Sequence, residues 1–292
     1  MRDFIIVTDS SNDLPAETIE KNEIQVAPLT FSFGDKQYHD LPGGKEMDIK
    51  TFFQKLRSGQ MAATSQVTPA IFLDLFSSIL KKGQDLIYIG FSSALSGTCQ
   101  SAKIAAEKLA AVYPKQKILV LDSLSGSFGQ GLLVEFASML KQSGKSIQEV
   151  YEKLVQKRLC TQHWFTVDDL NFLRRGGRIS AALAAAGSIL NIKPILSVNK
   201  KGQIHAPAKV RGRKQSLSYL VEKVAETFEK SLPESVYIAH ADCPEDGQTL
   251  ADMIKERVNP KEIFLHYAGP IISAHVGPAA LGVFFFGKPR AN

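Results

Sequence analysis

Cysteine is scarce in this 292-residue chain, and its three copies, Cys99, Cys160 and Cys243, show no CxxC spacing. That excludes a disulfide framework or a zinc knuckle as the organising device, and the expected location is a reducing cytoplasm. No apolar run reaches the ~18 residues of a membrane span. The opening Met-Arg-Asp-Phe-Ile-Ile-Val-Thr-Asp lacks the apolar core and small-residue cleavage site of a secretory leader and reads as entry into a strand. The chain also lacks a P-loop lysine motif. Gly126-Ser-Phe-Gly129-Gln-Gly131 has the wrong spacing for a dinucleotide fingerprint, and no Gly-x-Ser-x-Gly elbow exists, Ser96 standing in Ala94-Leu95-Ser96-Gly97-Thr98. The six histidines form no metal-binding pair, so no metal ligands are assigned and no cofactor is expected. Asp9, Asp122 and Asp242 each follow a strand; a metal held by them stands as an alternative to ordinary turn capping.

What is present describes a globular protein with a sizeable core: 44% apolar and 22% charged residues. The net charge of +6 gathers in Arg174-Arg175-Gly-Gly-Arg178 and Lys209-Val-Arg211-Gly-Arg213-Lys214. Neither cluster carries interleaved aromatics or a nucleic-acid reading motif, so a solvated face or a protein docking patch is favoured over nucleic acid.

Periodicity gives an α/β chain. Apolar runs at 4–8, 86–91 and 118–121 read as strands buried on both faces, each followed by a polar loop and a helix. That rhythm belongs to a parallel sheet with right-handed crossovers. Gly34-Asp35 marks a hairpin, Thr68-Pro69 a helix start, and Ser146-Ile-Gln-Glu149 a capping box. The later half predicts a helix over 181–190, a hairpin around Asn199-Lys-Lys-Gly202, a long helix over 214–230 and strands at 236–240, 263–267 and 281–286. We therefore expect an N-terminal domain over 1–160 with a parallel sheet. A second, mixed-sheet domain is expected over 161–292, its last segment free to pack back on the first.

In such sheets ligands lie beyond the carboxyl ends of the strands. The segments placed there are Thr8-Asp9-Ser10-Ser11, Thr64-Ser65-Gln66, Ser92-Ser93-Ala94-Leu95-Ser96-Gly97-Thr98 and Asp122-Ser123 with the Gly/Ser run after it. Their hydroxyls and backbone N–H groups suit an anion, although each serine alone serves equally well as a helix cap.

Those segments, in order, resemble the motifs of the DegV family. So do Asp13-Leu14-Pro15, Gly129-Gln-Gly131, Leu173-Arg-Arg-Gly176-Gly177-Arg178-Ile179, Leu190-Asn191-Ile192-Lys193-Pro194-Ile195 and His275-Val276-Gly277-Pro278. The resemblance spans essentially the whole chain. It implies a DegV-like two-domain fold and a long-chain fatty acid in a buried apolar tunnel. Its carboxylate would be presented to a separate ATP-binding fatty-acid kinase subunit for acyl-phosphate formation, in phospholipid metabolism and with transient membrane contact. By the same resemblance Thr64, Ser96 and His275 bind the carboxylate; the basic clusters beside Gly-rich loops suggest that Arg178, Arg211 and Arg213 dock the partner, with Arg178 serving equally as the anchor of the loop after Gly176-Gly177. His275 serves equally as a structural group tying down the last strand. A carrier rather than an enzyme is expected; a stand-alone metal- or nucleotide-dependent phosphoryl transferase or hydrolase, and a nucleic-acid-binding regulator, are the alternatives. Two departures stand out: Ala279 occupies the place of the family's last glycine, where a different turn is expected, and Cys99 that of an aromatic. The segment from Leu41 to Met47 is also longer or looser than the family pattern.

Overall fold

The computed structural model describes residues 3–181, 191–229 and 234–290. The helix expected over 181–190 lies outside the described residues except for its first position. Strand β1 (Phe4–Asp9) pairs in parallel with β2 (Gln25–Ala27) and β6 (Asp85–Gly90), and β7 (Ile118–Asp122) completes a four-stranded parallel sheet in the order β2-β1-β6-β7. β6 is buried at every position, as a strand covered on both faces must be. Its covers are helices α3 (Pro69–Leu80) and α4 (Thr98–Val112) on one side, and α5 (Phe128–Gln142) and α6 (Ile147–Lys157) on the other. The sequence signals act where they were read: Thr68 caps α3 by accepting from Ile71 N–H, and Ser146 with Glu149 closes a capping box on α6.

Three elements of this half have no periodic signature: β2, helix α2 (Ile49–Arg57) and strand β5 (Ala62–Ser65). They are short, and α2 buries only Phe52, Phe53 and Leu56, beneath the window that periodicity needs. The expected hairpin forms, β3 (Thr30–Phe33) against β4 (Lys36–His39), with Gly34 at φ +57°. β5 joins it as an antiparallel edge, so Thr64 lies on a strand of a small separate sheet and not in a loop after a parallel strand.

The remaining strands form one six-stranded sheet in the order β10-β9-β8-β13-β11-β12: β8 (Thr161–Thr166), β9 (Ile192–Val198), β10 (Ile204–Arg211), β11 (Ser235–His240), β12 (Glu262–Tyr267) and β13 (Leu281–Phe286). β11 and β12 run parallel; β13 is antiparallel to both β8 and β11. The closing segment is thus a central strand of this sheet. Its side chains also reach α5 of the first half, Phe284 meeting Phe128 at 6.1 Å and Phe286 meeting Phe136 at 5.9 Å, both edge-on. The opposite face, with Val283 and Phe285, packs with side chains of α8 (Arg213–Thr227) and α9 (Pro244–Arg257). Two short helices finish the framework, α7 (Asn171–Arg175) after β8 and α10 (Pro270–Val276) before β13.

The turn after α10 keeps its left-handed residue despite the alanine: Ala279 sits at φ +61°. Its N–H donates to Ala241 O at 2.6 Å and Ala241 N–H donates to Ala280 O at 2.8 Å, so the pairing holds the strain in place. A left-handed alanine costs about 1–2 kcal/mol, partly offset by the smaller entropy loss of alanine on folding. Ala279→Gly is therefore expected to stabilise the protein by about 0.5–1 kcal/mol in denaturant unfolding.

Candidate functional site

Asp9 fixes where the parallel strands stop. It is fully buried, and its carboxylate accepts from Tyr88 O–H at 2.6 Å, Phe91 N–H at 2.9 Å, Ser11 N–H at 3.2 Å and the Ser11 hydroxyl. The loop leaving β6 is thereby tied to the end of β1. Ser92 extends the tie, its hydroxyl donating to Gly202 O at 2.9 Å in the β9–β10 turn. The other strand-end acids are spent locally: Asp122 accepts from Ser93 and Leu124 N–H, and Asp242 pairs with Arg57 at 2.5 Å. They do not meet, and among the described residues no group of three or more acids, histidines or cysteines is placed to hold a metal.

Between the Ser92–Gly97 loop, β5, α10 and the inner face of the six-stranded sheet lies a cavity of about 240 Å³. One end is polar. Thr64 Oγ1 and His275 Nε2 are 2.8 Å apart, and Ser96 Oγ lies 2.9 Å from Thr98 Oγ1 and accepts from Thr98 N–H. Arg178 lines the same end, its Nε donating to Leu95 O at 3.1 Å and its guanidinium also reaching Gly176 O. Glycine at 176 is a matter of space, since a Cβ there would stand 2.2 Å from His275 Nδ1. Gly97 likewise makes room for the Gln66 side chain.

The other end is apolar. Phe165, Gly282 and Ala239 form one row across β8, β13 and β11, and His163, Phe284 and Tyr237 the next. Small residues at 239 and 282, with Ala241 and Ala280 nearby, leave the sheet face short of side-chain volume, and that deficit is the cavity. A Cβ on Gly282 would already press on Phe284 at 3.0 Å and Phe165 at 3.2 Å.

Thr64, Ser96 and His275 line this one cavity, and Arg178, read from the sequence as a loop anchor or a docking residue, joins them while bonding Leu95 O and Gly176 O. Arg211 and Arg213 stand elsewhere: Arg211 is exposed at the end of β10. Arg213 bonds Asp246 at 2.9 Å and lies 3.8 Å from Asp168, which binds it into the α8–α9 junction. His275 sits in the last turn of α10, and its hydrogen bond goes to Thr64 of β5. Cys99 is fully buried in the first turn of α4, and burial pushes its thiol up to about 12, so it is inert. The small residues of the sheet face were passed over, though a glycine inside Leu-Gly-Val-Phe-Phe-Phe is a signal of close approach or open space.

Electrostatically, Arg178 is the one permanently charged side chain lining the cavity among the described residues. Burial, and then the Arg178 charge, lower His275 to about 4, so its imidazole is neutral at physiological pH. Burial also holds His163 well below its ordinary value. A single half-buried cation in a cavity that also carries hydroxyls and a largely apolar lining suits a monoanionic amphiphile.

Residues 3–288 match the family model described as "Uncharacterised protein, DegV family". A DegV domain-containing protein of Clostridium perfringens is 42% identical over 99% of both chains. Among solved structures, a DegV family protein of Thermus thermophilus, described by its fatty acid binding, superposes with a TM-score of 0.86 at 29% identity, covering 98% of this chain and 100% of that one. DegV of Bacillus subtilis, described as a fatty acid binding protein, gives 0.84 at 30% identity, covering 99% and 100%.

The histidine can be tested directly. Its folded value of about 4 lies below the ordinary 6.5, so the stabilising contribution of the neutral ring is complete above about 6.5 and is lost as pH falls towards about 4. We expect the His275 ring resonances to titrate near 4 by NMR. The melting temperature of the ligand-free protein should fall across the same window. In His275→Gln that fall should be smaller but still present, because His240 is also lowered to about 4.

Proposed function

Because the chain belongs to the DegV family, we propose that it holds a long-chain fatty acid in this cavity and presents the carboxylate to a separate ATP-binding kinase subunit. The acyl tail lies against the Phe165–Gly282–Ala239 face, and the carboxylate meets Thr64, Ser96 and His275 with Arg178 as its counter-charge. The observation that carries this reading is the division of one cavity into a hydroxyl-lined end with a single cation and an apolar end. The fatty acid binding described for the Thermus and Bacillus relatives supports it. In the transfer step a carboxylate oxygen forms a bond to the γ-phosphorus of ATP while the bond to ADP breaks, giving an acyl phosphate. This chain supplies position and charge, and the nucleotide site belongs to the partner.

The energetics divide the same way. Each buried methylene contributes about 0.8 kcal/mol, so the tail dominates affinity. Hydrogen bonds to a charged carboxylate are worth about 1.5–3 kcal/mol each and fix which end faces out. Thr64→Ala and Ser96→Ala are each expected to weaken fatty-acid binding by about 10- to 150-fold without abolishing it. Transfer to the kinase subunit should suffer more, since a misplaced carboxylate is a poor nucleophile. Binding is read by calorimetry on delipidated protein, alongside mass spectrometry of lipid extracted from the native protein. Absence of a stoichiometric fatty acid, with no rise in melting temperature on adding one, would refute the carrier reading.

For the partner we propose that Arg211, exposed at the end of β10, meets an acidic surface of the kinase subunit. Arg178 and Arg213, from the two basic clusters, are held by contacts inside the fold, which makes Arg211 the member to test. Arg211→Glu should leave fatty-acid affinity unchanged and weaken partner-dependent acyl phosphorylation. The wild-type reaction should lose more to added salt than the variant, because rim charges act on association and are screened. Equal rates for the two proteins across a salt series would remove Arg211 from the interface.

A further inference from the structure

A second cavity, of about 350 Å³, shares no lining residue with the first. It opens between the start of α1 (Ala16–Lys21), the segment 40–44, the start of α2 and the turn into α10. Part of its wall is the segment beginning at Leu41 that departs from the family pattern. Four carboxylates line it, Asp13, Asp40, Glu17 and Asp48, together with the rings of His266 and Tyr267, and no lysine or arginine does.

Two of these acids are inside. Asp13 and Asp40 are each only 8% exposed. Asp13 accepts from Ser127 O–H at 2.5 Å and Gly269 N–H at 3.0 Å, whereas Asp40 Oδ2 has no hydrogen-bond partner. Both converge on Gly269: a Cβ built there would lie 2.7 Å from Asp13 Oδ1 and 4.0 Å from Asp40 Oδ2. Glu17 and Asp48 are exposed at the rim, Asp48 also capping α2 through Thr51, and Leu14, Ile19, Val26 and Met47 supply apolar wall to the same cavity.

We propose that this cavity binds an aliphatic diamine or polyamine, with one ammonium group at Asp13 and Asp40 and a second at the rim acids. A buried carboxylate oxygen without a partner calls for a donor, and an unpaired buried acid is costly. The carboxylates are too dispersed for a metal ion, since no group of three ligating side chains is gathered among the described residues. Two buried and two rim acids sharing one cavity with apolar wall match ammonium groups joined by methylenes. The net charge of +6 disfavours diffuse attraction of polycations, so binding has to come from a local site. The site is separate from the fatty-acid cavity and does not rest on that assignment. Without the amine, burial raises Asp13 to about 7, and burial followed by the charge of Asp13 raises Asp40 well above its ordinary value. The arriving ammonium therefore displaces a proton, with Asp9 behind the pair and Glu17, Asp48 and His266 in front as the other titratable neighbours.

Calorimetry with putrescine and spermidine on the full chain tests this, with butylamine and magnesium chloride as controls. We expect one saturable site, proton release seen as heats that depend on the buffer, and tighter binding as pH rises through about 7. Asp40→Asn should weaken the diamine by about 10- to 150-fold and leave fatty-acid binding unchanged. Glu17→Gln, an exposed change that folding tolerates, should cost a few-fold for putrescine and nothing for butylamine. Absence of saturable putrescine binding at millimolar concentration, equal affinity in Asp40→Asn, or tighter binding of magnesium would each overturn the proposal. Butylamine binding as tightly as putrescine would also overturn it, and would point to a lysine side chain of a protein partner.

Discussion

The buried carboxylate of Asp9 is the constraint on which the rest of the structure hangs. Four donors converge on it, two from Ser11 after β1 and one each from Tyr88 in β6 and the Phe91 backbone just beyond it. A buried acid without these partners would be costly, so the β6 loop has little freedom to drift from β1. Ser92 to Gly97 starts from that fixed point, and Ser96 is placed accordingly. Asp9 shapes the site without lining it.

The cavity exists because two well-packed bodies meet over a face that is locally short of side chains. Helix α5 fits closely against the six-stranded sheet where aromatic rings stand, through Phe128 with Tyr237 at 4.9 Å and with Phe284 at 6.1 Å. One row along, glycine and alanine replace the rings, and no backbone adjustment closes the gap because the flanking rows hold the layers apart. An interior this dense elsewhere makes an apolar void costly when dry, which favours its filling by an apolar ligand.

The polar end draws its members from segments far apart in the chain. Thr64 and His275 are separated by 211 positions, yet their hydrogen bond joins the small antiparallel sheet to α10. Arg178 reaches the same place because Gly176, just after α7, approaches His275 too closely for any side chain. Burial, and then the Arg178 charge, keep His275 neutral, so an anion entering beside them meets one cation and several neutral donors. The second cavity lies at the opposite end of α10, beside Gly269, so a single short helix touches both sites.

The sequence by itself determined the alternation of strands and helices, the parallel first half, the hairpins and caps, and the order of motifs that mark the family. These are local properties: period, turn residues and spacing act within a few positions, so they are readable without coordinates. It also singled out Thr64, Ser96 and His275, though through family resemblance and with Thr64 on the wrong kind of element. Only the tertiary structure decided that Arg178 faces the cavity while Arg213 is taken up by Asp246, and that Ala279 keeps a left-handed turn. The same holds for the small residues of β11 and β13, which line up to leave a void, and for Asp13 and Asp40, which are buried side by side. Each of these depends on which distant segments are neighbours across a sheet or a helix end, and no periodicity within a segment carries that information.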